Sequence, residues 1–317
     1  MKKRLLIAIL CAAAAATTHA EKVEPINFGN FDQWVTREIK ESKLLGGANK
    51  TIYEIGPTQT ITTGKPYTNL GGSPWATSNV LASPMGVTKT SNAVFPDVHG
   101  SGKCAKLTTL YEHCKVIGVV NMEVLVAGSV FLGKMLEPIK STSNPYSKME
   151  MGVPFTRRPK ALQFDYKLFM PSTGERIYSS GFGKKKTYKG NDCAEVFIIL
   201  QRRWEDADGN IHAKRVGTGR ERYAKTTDWV AAHRIPVEYG DISGRAGFKA
   251  WKGLIPEEKS YYAKNSKGKM VPVVEEGWDA ADATPTHLLV MFSAGSGSAY
   301  IGTIDLTLWV DNVALVY

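Results

Sequence analysis

The chain has 317 residues, 43% of them hydrophobic and 22% charged, which excludes wholesale disorder. Its 30 Gly and 15 Pro stay close to average usage, excluding collagen-like and linker-dominated chains, and four Cys in this length exclude a disulfide-dense small scaffold. The formal net charge of +10 is spread along the chain without a helix of clustered Arg and Lys, so nucleic acid is not an expected partner.

Lys2, Lys3 and Arg4 open the chain, and Leu5 to Ala16 is an unbroken run of apolar and small residues. Thr18-His19-Ala20 then sets small residues at the two positions a signal peptidase reads. This predicts an export signal over 1–20, cleaved before Glu21, and a periplasmic, cell-surface or secreted protein. Cys11 follows Leu10 and so lacks the small preceding residue that a lipid-attachment site requires. Loss of Lys2, Lys3 and Arg4 lowers the formal net charge from +10 to +7. Cys104, Cys114 and Cys193 remain, an odd number that leaves at least one thiol without an internal partner. The spacing of Cys104 and Cys114 permits a pair without requiring one.

Phe31, Trp34, Val35 and Ile39 fall at helical spacing, with Gly46-Gly47 as a stop, which predicts one short helix over Phe31 to Leu45. The most apolar later window, Val116 to Gly133, is broken by Asn121 and Glu123, so no membrane-spanning helix is expected. After Trp75 the dominant period is two. In Ala161 to Phe169, Leu162, Phe164, Tyr166 and Leu168 share one face, and Gln163, Asp165 and Lys167 the other. In Cys193 to Trp204, Ala194, Val196, Ile198 and Leu200 line a core side opposite Glu195, Gln201 and Arg203, while Phe197 and Ile199 make that second face partly apolar. His287 to Ser293 and Thr303 to Val310 repeat the form. Turn clusters such as Asp208-Gly209-Asn210, Gly240-Asp241 and 293–298 punctuate them. Many strands and little helix predict an all-β protein, an antiparallel β-sandwich of jelly-roll type.

Cofactor and metal motifs are absent. Gly100-Ser101-Gly102-Lys103-Cys104-Ala105 lacks the strand before and helix after that a dinucleotide loop needs. Asp206, Asp208 and Asn210 mimic the start of a calcium loop, but the Gly is misplaced and no Glu closes it. The histidines past the export signal, at 99, 113, 212, 233 and 287, show no zinc spacing. Lys184-Lys185-Lys186 reads as a solvated loop. Aromatic residues are more informative. Trp75, Trp204, Tyr261, Tyr262, Trp278 and Trp309 sit in polar surroundings, as a glycan site requires, because sugars present apolar ring faces and hydroxyl edges. The same aromatics also suit packing between sheets and loops.

Five segments carry a family resemblance: Ser73-Pro74-Trp75-Ala76-Thr77-Ser78-Asn79, Gly152-Val153-Pro154-Phe155-Thr156-Arg157-Arg158-Pro159, Phe164-Asp165-Tyr166-Lys167, Asp192-Cys193-Ala194-Glu195, and Trp309-Val310-Asp311-Asn312-Val313. In that order, over Asn69 to Tyr317, they resemble the putative carbohydrate metabolism domain family of Bacteroidetes. The resemblance implies a jelly-roll sandwich similar to carbohydrate-binding modules and to jelly-roll glycoside hydrolases. It also implies a carbohydrate context without a settled reaction. Some members carry an immunoglobulin-like domain in front. Glu21 to Leu70 is short for one, so 21–70 is expected to be an extension packed on a main domain of 71–317.

If the two alternating strands lie in one inner sheet, Gln163, Asp165, Lys167, Glu195, Gln201 and Arg203 share a concave surface, with Trp75 and Arg158 closing over it. Asp165–Lys167 and Glu195–Arg203 are equally readable as structural ion pairs. The expected function is saccharide binding by a monomer. The alternative is a glycoside hydrolase with Asp165 and Glu195 as its acid pair, and a third reading is a surface or adhesive protein. The closing strand through Val313 to Tyr317 is expected to complete its own sandwich rather than a neighbour's sheet.

Overall fold

The computed structural model describes residues 21–317 except 117–119, 182 and 297. The expected export signal lies outside the described residues. The described chain is all-β, with only short 3-10 turns besides the strands.

The Ala161–Phe169 strand sits between Thr307–Val316 and Thr227–Pro236, antiparallel to both. Thr307–Val316 pairs on its other side with Gly102–Val116, whose first half carries Val94–His99 and whose second half carries Val120–Ala127. The facing sheet is built on Ala194–Glu205, flanked by Ile211–Tyr223 and His287–Ser293. Leu162, Phe164 and Leu168 of the first sheet meet Val196, Ile198, Leu200 and Phe292 of the second in one core, and Phe164 stands edge-on to Phe292 at 5.0 Å.

The second sheet departs from a plain two-sheet sandwich. Beyond Ile211–Tyr223 it continues through Met270–Trp278, Tyr262–Lys264, Met149–Met151 and Ser129–Met135, and this last strand pairs back to His287–Ser293. Seven strands thus close a ring, and two of its pairings are parallel. The ring has its own core of Phe131, Met151, Phe197, Ile199, Tyr261, Leu289 and Met291. Strands shared by sandwich and ring are therefore buried on both faces, which is why Ala194 to Leu200 reads as an almost continuous apolar run. The expected jelly roll is corrected to several sheets with a closed, barrel-like ring.

The helix expected over Phe31 to Leu45 is also corrected. Trp34–Lys40 is a strand, antiparallel to Asn49–Ile55 and parallel to Gln59–Thr62. Val35, Arg37 and Ile39 are buried in alternation, so the segment satisfies period two as well as the helical spacing, and β-branched Val35, Thr36 and Ile39 favour the extended form. The one helical feature there is the 3-10 turn Lys43–Leu45, ended by Gly46 at φ 93°. Cys104 and Cys114 are both free and buried. They lie on one strand ten positions apart, roughly 33 Å when extended, beyond the Cα separation of about 7 Å that a disulfide tolerates.

Arg37 ties this small sheet to the body. It is fully buried and ion-paired at 2.8 Å with both Glu54 and Glu137. One cation thus serves two enclosed carboxylates. Burial, only partly offset by Arg37, pushes Glu54 up to about 8. Because this folded value lies above the unfolded one, the Glu54 contribution to stability is complete below about pH 4.5 and fades as the pH rises to about 8. Urea unfolding at pH 5, 6.5 and 8 is expected to show that decline, and Glu54→Gln, neutral throughout, to flatten it. Identical pH slopes in parent and variant would remove Glu54 as its source.

Candidate functional site

The outward positions of Ala161–Phe169 and Thr307–Val316 meet in register: Asp165 is the cross-strand partner of Asp311. Both strand pairs of Ala161–Phe169 slip register beside it, and Ala232 and Asn312 take left-handed backbone at φ 49° and 52°. Asp165 anchors both irregularities. Its Oδ1 accepts from Ala232 N at 2.6 Å and its Oδ2 from Asn312 Nδ2 at 2.8 Å. Asp311 accepts from Asn312 N at 2.7 Å through Oδ1, and its Oδ2 lies 2.6 Å from His99 Nδ1. Asp311 is 5% exposed, and burial raises its carboxyl despite the His99 bond.

His99 and Trp229 stack with centroids 3.7 Å apart, although their strands are separated by three others. A flat ladder would hold those strands about 19 Å apart, four steps of about 4.8 Å. The sheet must therefore curl, making this outer face a trough. Trp309, half-buried beside it, donates its indole N–H to Asp97 at 2.8 Å, and the ammonium groups of Lys106 and Lys167 lie 5.6 and 5.0 Å from its ring centre. Gln163, at one side, accepts from Arg234 at 2.9 Å. Beneath, Cys104 is fully buried, and its burial, with Asp97 and Asp311 adding to the effect, pushes the thiol up to about 12, so it is no nucleophile.

The sequence-predicted site residues are not brought together. Gln163, Asp165 and Lys167 lie on this trough. Glu195, Gln201 and Arg203 point the other way, into the ring, because the facing sheets turn their apolar sides toward each other. Glu195 is fully buried between Arg220 and Arg222, each at 2.6 Å. Gln201 donates to Glu275 at 2.7 Å and accepts from Arg203 at 2.8 Å, and Arg203 also donates to the Met151 carbonyl at 3.0 Å. The main core therefore separates Asp165 from Glu195, and this geometry rules them out as an acid pair facing one bond. Trp75 is fully buried in that core, edge-on to Phe31 at 5.5 Å, with its indole N–H on the Asn27 carbonyl at 2.9 Å. Arg158 lies over the Tyr239 ring at 4.0 Å and holds the carbonyls of Ala281 and Ala283. Neither closes over the trough.

Sequence reasoning missed His99, Asp97, Lys106 and Trp229, and recognised Asp311 only as part of a motif. The available signal was an outward carboxylate in each of two alternating segments. Which segments pair is not a local property.

A second concave feature opens at one end of the ring. It is a cleft of about 280 Å³ with mainly apolar walls, and Glu112 is the one carboxylate side chain among its described lining residues. No group of three or more His, Cys, Asp or Glu poised to hold a metal ion occurs among the described residues, nor any helix long and apolar enough to cross a membrane.

No curated protein matches the chain. Among solved structures it is similar to a putative glycoside hydrolase from Bacteroides thetaiotaomicron, with 20% identity over 86% of this chain and 76% of that one, at a TM-score of 0.42. The description of the putative carbohydrate metabolism domain matches residues 53–316, a span that takes in both sheets, the ring and the trough. The protein therefore belongs to the putative carbohydrate metabolism domain family.

Proposed function

We propose that the protein is exported and binds a saccharide, as a monomer, on the trough around Asp165, Asp311, Trp229 and Trp309. The observation that carries this reading is the cross-strand carboxylate pair flanked by half-buried Trp229 and Trp309 and by Lys106 and Lys167. Indole faces suit the apolar side of a sugar ring, and carboxylates and ammonium groups suit its hydroxyls. Family membership supports the carbohydrate context, and the charged, apolar, small-residue order of the first twenty residues supports export. The cleft is less suited to a sugar, because its apolar wall would strip hydroxyls of water without replacing their hydrogen bonds.

Binding without catalysis is favoured because all four carboxylate oxygens of Asp165 and Asp311 are already engaged. Each still has a lone pair for a sugar hydroxyl, but none stands free to attack or protonate a glycosidic bond. One observation favours the hydrolase reading. Asp165 and Asp311 are cross-strand partners, and burial raises the Asp311 carboxyl as that of an acid would be.

A glycan array on the parent, followed by titration of Trp229→Ala and Trp309→Ala with the best glycan, tests the binding surface. Each variant is expected to lose affinity by about thirtyfold, about 2 kcal/mol. Unchanged affinity in both would place the glycan elsewhere. Chromophore release from aryl glycosides by the parent, abolished in Asp311→Asn, would replace binding with hydrolysis.

A further inference from the structure

The cleft at the ring end has a composition unlike the trough. Met122, Met135, Met149 and Met291 line it, together with Val80 and Ile139. Unbranched thioether side chains adapt their shape to a flexible apolar guest and offer a sugar no hydrogen bonds. Charge is also distributed asymmetrically. Half-buried Lys89 and Lys148 line the cleft against the single carboxylate of Glu112, which lies 3.3 Å from Lys89. Lys148 has no ion-pair partner among the described residues. Tyr146 and Tyr261 line the cleft and also a smaller cavity of about 40 Å³, which Arg220 and Lys259 make polar, so the apolar space belongs to the cleft alone.

We infer that this cleft binds the aliphatic chain of a fatty acid anion, its methylenes among the four methionines and its carboxylate at Lys148. A volume of about 280 Å³ is many times the roughly 10–15 Å³ that one water needs, so the cleft has room for an extended aliphatic chain. Decanoate and dodecanoate, medium-length chains with one anionic end, are the probes. This site is separate from the trough and does not depend on the glycan reading.

The test is isothermal titration of the intact protein with octanoate, decanoate, dodecanoate and 1-decanol, below their aggregation limits. Affinity is expected to rise by about fourfold per methylene up to the filled length. Ala82→Trp, which projects a ring into the cleft, should abolish binding. Lys148→Glu should weaken decanoate at least tenfold and leave 1-decanol unchanged, while Trp309→Ala should alter neither. Melting curves of the variants confirm folding. Absence of saturable binding by the parent, affinity independent of chain length, or full binding by a folded Ala82→Trp variant would overturn the inference. If decanoate binding were lost in Trp309→Ala, the ligand would be assigned to the trough.

Discussion

Deletion of Val313 to Tyr317 is expected to leave a chain that does not fold. These residues close the Thr307–Val316 strand, which is interior to its sheet. Val316 is the register partner of Ala161 on one side and of Val23 on the other. Further bonds lock the segment: Ile26 N donates to the Val313 carbonyl at 3.0 Å, Val313 N to the Gly29 carbonyl at 2.8 Å, and Lys160 N to the Val316 carbonyl at 2.6 Å. Gly29 is required there, since a Cβ on it would meet the Val313 oxygen at 2.8 Å. Val313, Leu315 and Val316 are each no more than 5% exposed. At about 1.5–3 kcal/mol for each fully buried side chain, their loss removes about 5–9 kcal/mol, against a typical domain stability of about 5–15 kcal/mol. Circular dichroism and gel filtration of the truncated chain should show loss of β signal and of the monomer peak. A truncated monomer with the parent melting temperature would instead make the closing segment an assembly device and revive the adhesive reading.

The second large effect is expected at the ion pair inside the ring. The Arg215 and Glu275 side chains are both fully buried. Arg215 donates to Glu275 from Nε at 2.6 Å and from Nη2 at 2.5 Å, and to Thr218 at 3.1 Å. Glu275 also accepts from Gln201 and from Ile255 N, both at 2.7 Å. Glu275→Ala leaves a buried guanidinium without its counter-charge and orphans two donors, so a loss of about 3–5 kcal/mol is expected. The double variant Arg215→Met, Glu275→Leu should recover the part due to the unpaired charge, because it removes both desolvated charges and keeps the volume, while the Gln201 and Ile255 donors stay orphaned. Urea midpoints with unchanged slopes would measure both. A single variant within 1 kcal/mol of the parent would mean that water reaches Arg215. The pH behaviour has the opposite sign to that of Glu54. Burial raises Glu275, but the charge and hydrogen bonds of Arg215 outweigh it and hold the carboxyl below its ordinary value. Its contribution is therefore present above the unfolded value and is lost as the pH falls through the folded one.

How much was legible depended on whether a property was local. Leu162, Phe164, Tyr166 and Leu168 announced their buried face because a strand turns successive side chains to opposite sides, whatever it pairs with. The Ala194 to Leu200 run showed a second apolar face, but nothing in it could tell that the sheet curls into a ring to bury that face. Trp34 to Ile39 satisfied both the helical and the strand period. The choice was made by its pairing with Asn49–Ile55 and by the burial of Arg37 against Glu54 and Glu137.

The same division governs the site. The sequence by itself determined that the chain is β-rich, which residues of each alternating strand face outward, that Asp165 and Lys167 are among them, and to which family the chain belongs. Only the tertiary structure decided that Asp165 faces Asp311 rather than Glu195, that Trp75 is core rather than platform, and that His99 reaches Trp229 across three strands. The physical reason is that side-chain direction follows from backbone geometry within a few residues. Strand partners and sheet curvature instead depend on the burial and hydrogen bonding of segments far apart in the chain, which no local pattern records.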